Sequence, residues 1–206
     1  MIKSPFLLIK NFMSPMECEN LLASIDTTMP NYDSEDRPIK TNIRVPVFQN
    51  RIWQRLEHYF ESIEGYYGVE IDSVTPVDVE WYPEGCVEEA PRCENSVFNG
   101  KKWSIFNDYD FTVVVFLKDY NDKPDFDEEF ECYGGKLQII NHAFSITPHR
   151  GMAVIFPSNQ YFINKTESPK YGDAFQLRMH LVCTERFKYN RHDYEGNYSI
   201  WFKGLT

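Results

Sequence analysis

The chain has 206 residues, 42% of them hydrophobic and 16% aromatic, and a formal net charge of −10. That length suits one domain with a sizeable buried core, and the composition excludes a disordered chain. The acidic balance argues against nonspecific nucleic-acid binding, which needs Lys and Arg to displace counterions.

The opening run, Met1-Ile2-Lys3-Ser4-Pro5-Phe6-Leu7-Leu8-Ile9-Lys10, has too short an apolar stretch for a secretory signal and is interrupted by Pro5. No apolar run approaches the ~20 residues of a membrane span. Five cysteines (Cys18, Cys86, Cys93, Cys132, Cys183) are an odd number without framework spacing, so reduced thiols in a cytoplasm-like compartment are expected. Ser14-Pro15-Met16-Glu17 reads as a helix start, with a hydroxyl N-cap, proline in the first helical position and an acid in the third. Cys18, Leu21, Leu22 and Ile25 then share one face, predicting a helix over 14–26. A second helix is predicted over 50–66, where Ile52, Trp53, Leu56, Tyr59, Phe60 and Ile63 form an apolar stripe.

The remainder is strand-like. Runs rich in Val, Ile, Phe and Leu predict strands over 74–82, 111–117, 135–140, 152–156 and 175–183, punctuated by Gly, Pro, Asn and Asp. Two helices followed by many short strands indicate a mostly β, α+β protein with helices packed on one face of a β-sandwich. Residues 118–133 are rich in carboxylates. A solvated loop is one reading, and a calcium site is the other, although the spacing lacks the central glycine of the twelve-residue calcium loop. An extension from about residue 189 alternates aromatic and charged residues, and Tyr198-Ser199-Ile200-Trp201-Phe202 could form an edge strand.

In chain order, several segments carry a resemblance. They are Phe6 to Cys18, Val79-Glu80-Trp81-Tyr82 with the turn Pro83-Glu84-Gly85, Phe111 to Tyr120, Tyr133-Gly134-Gly135-Lys136-Leu137, Pro148 to Ser158, and Tyr171 to Arg178. Together they resemble the prolyl 4-hydroxylase-like branch of the 2-oxoglutarate and iron(II) dependent oxygenases. The acidic insert before Gly134 is most similar to members encoded by bacteriophages. The resemblance covers nearly the whole chain and implies one domain over 1–206, a double-stranded β-helix (jelly-roll or cupin-like) with flanking N-terminal helices.

It also implies a damaged site. The family's iron needs two histidines and a carboxylate on one face, with positions left open for the cosubstrate. The first histidine aligns with Arg92, which has no lone pair to offer. The carboxylate aligns with Glu94, and spacing places the second histidine at Tyr161, a poor ferrous ligand with a phenol pKa of ~10. Tyr82 and Arg178 match the 2-oxoglutarate-binding positions, where an arginine grips a carboxylate with two hydrogen bonds. Of the histidines elsewhere (His58, His142, His149, His180, His192), His180 shares a strand face with Arg178. It is either a core histidine or a substitute ligand. Arg92 and Glu94 stand two apart and point the same way on a strand, so Arg92 either pairs with Glu94 inside the pocket or points outward.

The resulting expectation is a non-catalytic protein of this fold with no catalytic residue, no metal and no cofactor. It would be reused for protein contacts in the cytoplasm or as a bacteriophage neck, tail or baseplate component. Its partners would be proteins, other virion proteins or a second copy, with no nucleic acid and no membrane. The alternative is an active hydroxylase with a rebuilt site using iron(II) and 2-oxoglutarate. A metal-free small-molecule binder ranks third.

Overall fold

The structure, a computed structural model, describes residues 4–123 and 127–189. The edge strand expected at 198–202 and His192 lie outside the described residues. In chain order the elements are β1 (Leu7–Ile9), α1 (Pro15–Leu22), β2 (Asn31–Tyr32), β3 (Pro38–Ile39), β4 (Thr41–Arg44), α2 (Pro46–Glu57), α3 (Phe60–Tyr67), β5 (Ile71–Val74), β6 (Asp78–Tyr82), β7 (Ser96–Phe98) and β8 (Trp103–Ile105). They continue with β9 (Phe111–Phe116), β10 (Asp119–Tyr120), β11 (Glu131–Cys132), β12 (Leu137–Ile139), β13 (Phe144–Ile146), β14 (Ala153–Pro157), β15 (Asn164–Thr166) and β16 (Ala174–Cys183). No helix among the described residues is long and apolar enough to cross a membrane.

The main sheet runs β1-β14-β9-β16-β6-β4, with β5 paired to the far end of β16. Its pairings are antiparallel. A smaller antiparallel sheet, β13-β12-β15, faces it. Arg92 continues this second sheet by exchanging both backbone hydrogen bonds with Asn164, each 2.8 Å. The expected double-stranded β-helix is therefore present, with the helices on the outer face of the main sheet.

Strand alternation divides the core in two. Val113, Val115, Ala153, Ile155, Val79, Leu177, Met179 and Leu181 point outward and pack under Cys18, Leu21, Ile52, Leu56 and Ile63 of the helices. Val114, Phe116, Val154 and Phe156 point inward against Leu137, Ile139, Ile146 and Phe162. The inner face of β6 and the lower half of β16 carries Glu80, Tyr82, Gln176 and Arg178 instead. One end of the space between the sheets is thus apolar and the other polar.

The first helix starts as its sequence predicts: Ser14 Oγ accepts from the Glu17 amide, and Glu17 Oε2 accepts from the Ser14 amide. The predicted helix over 50–66 is two helices. The end of α2 tightens, with the Tyr59 amide donating to the Leu56 carbonyl at 2.9 Å, and the Tyr59 ring turns onto Phe12 at 5.8 Å. The strand predicted over 74–82 is also two, because the chain bends at Thr75-Pro76. There the Thr75 amide donates to the His180 carbonyl, and Thr75 Oγ1 accepts from the His180 amide, each at 2.9 Å. The strand predicted over 135–140 closes early into a 3-10 turn at Ile140–His142. Strand β4 and the hairpin β7–β8 have no counterpart among the predicted elements.

Gly151 is needed where the chain folds back toward the N-terminus. Its φ is +80°, and a Cβ there would lie 2.0 Å from the Met13 carbonyl oxygen. The loop at 118–133 is tied by its own ends: β10 pairs with β11, and Glu131 Oε2 accepts from Asn121 Nδ2 and the Asp127 amide. All five cysteines are free and buried.

Candidate functional site

The polar end of the inter-sheet space is built around Glu80, which is 3% exposed. The residue sits on the inner face of β6 because Val79 and Trp81 take the outer face toward the helices. Its Oε1 accepts from Lys40 Nζ at 2.9 Å and Arg92 Nη2 at 2.7 Å. Its Oε2 accepts from Arg178 Nε at 2.8 Å, Gln176 Nε2 at 2.6 Å and the Tyr82 hydroxyl at 3.1 Å. Gln176 is directly opposite Glu80 in the β6–β16 register, and Arg178 follows on the same face.

Glu94 is the second acid of the cluster, its side chain 10% exposed. Its Oε1 lies between Arg92 Nε at 2.9 Å and Arg178 Nη1 at 2.6 Å. Glu89 is the third: it accepts from Arg92 Nη1 and Lys40 Nζ, and the Tyr82 hydroxyl lies 3.0 Å from its Oε2. Asn164 Oδ1 completes the ring by accepting from Arg178 Nη1 at 3.3 Å. Lys40, Arg92 and Arg178 therefore balance Glu80, Glu89 and Glu94, and the cluster is neutral.

Electrostatics follow from this packing. Burial raises the Glu80 carboxyl, but Arg178, Arg92 and Lys40 outweigh it and hold the group well below the usual carboxylate range. Burial likewise opposes ionisation of Glu94, and Arg178 and Arg92 still bring it down to about 2. Burial, reinforced by Glu80 and Glu89, pushes the Tyr82 phenol well above its ordinary value. His180 closes the outer rim, stacked on Tyr109 at 4.2 Å with Nδ1 3.4 Å from Thr112 Oγ1, and burial lowers it to about 4. Beside the cluster is an open cavity of about 320 Å³, lined by Lys40, Asn42, Arg44, Thr75, Pro76, Asp78, Tyr109 and His180 as well as the buried charges.

These shifts predict acid lability in two stages. The unfolded chain protonates His180 from its ordinary 6.5, whereas the folded chain does so only near 4, so stability falls as pH drops from about 6.5 to 4. Glu94 contributes stability that is complete above 4.5 and is lost as pH falls toward 2, and Glu80 acts in the same direction. Urea midpoints measured across pH check this. His180→Gln should flatten the upper stage and leave the lower one, and an unchanged upper stage would refute the assignment.

The structure brings together four of the five residues singled out by sequence: Tyr82, Arg92, Glu94 and Arg178. The inward pairing of Arg92 with Glu94 is the arrangement found. Tyr161 stands apart. It is 50% exposed and packs on Tyr189 at 5.4 Å, and its carbonyl accepts from His142 Nε2. Tyr161 lies in the loop after β14, whereas the residue that faces Arg92 across the sheet is Asn164. Sequence reasoning also missed Glu80, Glu89, Lys40 and Gln176. Glu80 alone left a signal: a carboxylate between the apolar Val79 and the aromatic Trp81, two positions from Tyr82 on the same strand face.

The iron(II) implied by the resemblance does not fit this donor set. Arg92 has no lone pair, Tyr161 lies outside, and Glu94 Oε1 is already shared by two guanidinium groups. A dication placed there would face both fixed positive charges. Among the described residues, no three His, Cys, Asp or Glu side chains are grouped so as to hold a metal ion. The cosubstrate's two-bonded grip is not open either: Arg178 commits Nε to Glu80 and Nη1 to Glu94, which leaves Nη2 alone without a partner, and the Tyr82 hydroxyl is engaged by Glu80 and Glu89.

Comparison with protein-family models and with curated proteins finds no match. Solved structures do match. A viral collagen prolyl hydroxylase from Paramecium bursaria Chlorella virus-1, solved as its 2-oxoglutarate complex, is 14% identical over 88% of this chain and 97% of that one, with a TM-score of 0.62. A Pseudomonas putida prolyl-4-hydroxylase is 13% identical over 87% of this chain and 93% of that one, with a TM-score of 0.62. A Trichoplax adhaerens prolyl hydroxylase, in complex with a hypoxia inducible factor peptide fragment, is 12% identical over 93% of this chain and 86% of that one, with a TM-score of 0.56. At these identities the likeness is one of fold: the chain is built on the double-stranded β-helix of the prolyl hydroxylases.

Proposed function

We propose that this chain is a non-catalytic protein of the oxygenase fold, reused as a structural or protein-interaction module, with a bacteriophage virion as its setting. Arg92 and Glu94 stand at lapsed metal positions, and Tyr82 and Arg178 at lapsed cosubstrate positions. Asn164 takes the place that spacing gave to Tyr161. The observation that carries the reading is the Glu94 carboxylate held between Arg92 and Arg178. Two guanidinium groups supply the double positive charge a divalent ion would bring, so the buried acids are neutralised from within. The phage-like acidic insert supports the virion setting.

The test is anaerobic purification followed by iron(II) titration and a 2-oxoglutarate decarboxylation assay. We expect no stoichiometric iron and no turnover above buffer. Stoichiometric iron with turnover would overturn the reading in favour of an active 2-oxoglutarate-dependent hydroxylase. The setting is tested separately by mass spectrometry of purified particles, where absence of the chain would remove the virion role and leave the non-catalytic one standing.

A further inference from the structure

Asn99-Gly100 is the one Asn-Gly pair in the chain, and it lies in the turn between β7 and β8. Asparagine followed by glycine is a common hairpin signal, and here the asparagine side chain helps to close the turn. The Asn99 amide donates to the Lys102 carbonyl at 3.1 Å. The Lys101 and Lys102 amides donate to Asn99 Oδ1, at 3.1 and 3.0 Å. The Gly100 amide makes no hydrogen bond among the described residues. Gly100 has a φ of +88°, and a Cβ there would meet nothing within 4 Å, so its nitrogen stands in the open. Residues 95–107 include Lys101 and Lys102 and no acid.

We propose that Asn99 is a self-modification site, where the folded turn promotes conversion of the asparagine to aspartate and isoaspartate through a cyclic imide with Gly100. The Gly100 nitrogen, after losing its proton to solvent base, attacks Asn99 Cγ. An N–Cγ bond forms as the carbonyl π pair moves onto Oδ1. The Lys101 and Lys102 amides, already aimed at Oδ1, stabilise that oxyanion. Its collapse breaks the Cγ–Nδ2 bond and releases ammonia, whose third proton comes from water. A second water opens the imide at either of its two carbonyls. The net change is hydrolysis of one amide, with nothing oxidised or reduced. The Lys101 and Lys102 ammonium groups favour the anionic form of the attacking nitrogen.

Asn95, at the base of the same hairpin, lacks these features. It is 5% exposed, its Nδ2 donates to the Tyr109 carbonyl at 2.9 Å, and its Oδ1 accepts from the Ser96 hydroxyl at 2.6 Å. Its leaving group is held, and the next residue belongs to a strand rather than an open turn. Asn95 therefore stays intact while Asn99 reacts. Each event at Asn99 takes the net charge from −10 to −11. Isoaspartate also adds a carbon to the main chain at the tip of the hairpin.

The test is incubation of the full chain in mildly alkaline buffer, followed by chymotryptic release of residues 99–103 and mass spectrometry. Labelling by an isoaspartyl methyltransferase separates the two acids. Conversion should appear at Asn99 before any other described asparagine. It should run about tenfold faster in the folded chain than in the chain unfolded in urea, less than the ~10²–10³ of a buried oxyanion donor because the turn is exposed. Lys102→Pro, which deletes one donor, should lose most of that acceleration. Lys101→Gln with Lys102→Gln, which keeps both amides, should retain most of it. Circular dichroism checks that the variants fold. A folded chain that reacts no faster than the unfolded one, or another described asparagine that converts first, would overturn the proposal.

Discussion

Glu80→Gln is expected to destabilise the fold by about 3–5 kcal/mol, the cost of leaving buried partners uncompensated. The amide keeps the shape of the side chain but removes the charge that Lys40, Arg92 and Arg178 share. Three cations would then face only Glu89 and Glu94. The network would also lose an acceptor at Oε2, where Arg178, Gln176 and Tyr82 meet. The loss should appear as a lower urea midpoint at unchanged slope. A change below about 1 kcal/mol would mean that water, not Glu80, compensates the cations.

Removing more of the network should cost less. A quadruple variant, Glu80→Met, Glu94→Leu, Arg92→Met and Arg178→Met, takes out two charges of each sign. It leaves the Lys40–Glu89 pair, 2.7 Å apart, still matched. Replacing a whole buried ionic group with apolar side chains is often neutral or stabilising, whereas breaking it at one member is not. The quadruple variant should therefore be more stable than Glu80→Gln. This separates the worth of the network from the penalty of damaging it.

The sequence carried the fold further than the site, for physical reasons. The Ser14–Glu17 capping box is a local device, and its residues announce it. The strands at 111–117 and 152–156 announce themselves because both faces of the main sheet are covered there, so their apolar runs are nearly continuous, whereas the strand at 175–183 shows as an alternation in which Gln176, Arg178 and His180 face inward. The break between α2 and α3 leaves no mark, since the apolar stripe passes through it from Leu56 to Tyr59 and Phe60. Arg92, Glu94 and Arg178 were legible because the resemblance fixes them by order along the chain. Lys40, Glu89 and Asn164 were not, because they reach the cluster from short or irregular segments that no periodicity identifies. Tyr161 shows the same limit from the other side: a count along a loop does not say which residue faces inward, whereas the backbone pairing of Arg92 with Asn164 does.

That pairing sets the expected result of rebuilding a metal site. Arg92→His with Asn164→His and Arg178→Leu, keeping Glu94, should change the chain from no detectable divalent-metal binding to stoichiometric binding. Arg178 has to go because its Nη1 lies between Glu94 Oε1 and Asn164 Oδ1, the place the ion would take. Removing both guanidinium groups leaves Glu80, Glu89 and Glu94 against Lys40, a net charge of −2 that a dication neutralises. Two imidazoles and a carboxylate then converge on one face, the donor set suited to ferrous iron. Cobalt(II) absorption provides a first readout without oxygen chemistry, followed by anaerobic iron(II) binding. The pair Arg92→His with Tyr161→His should bind neither, since Tyr161 lies outside the cluster and Arg178 stays in place. If that pair binds metal and the triple variant, folded by circular dichroism, does not, then Asn164 is the wrong residue and the spacing along the chain was the better guide.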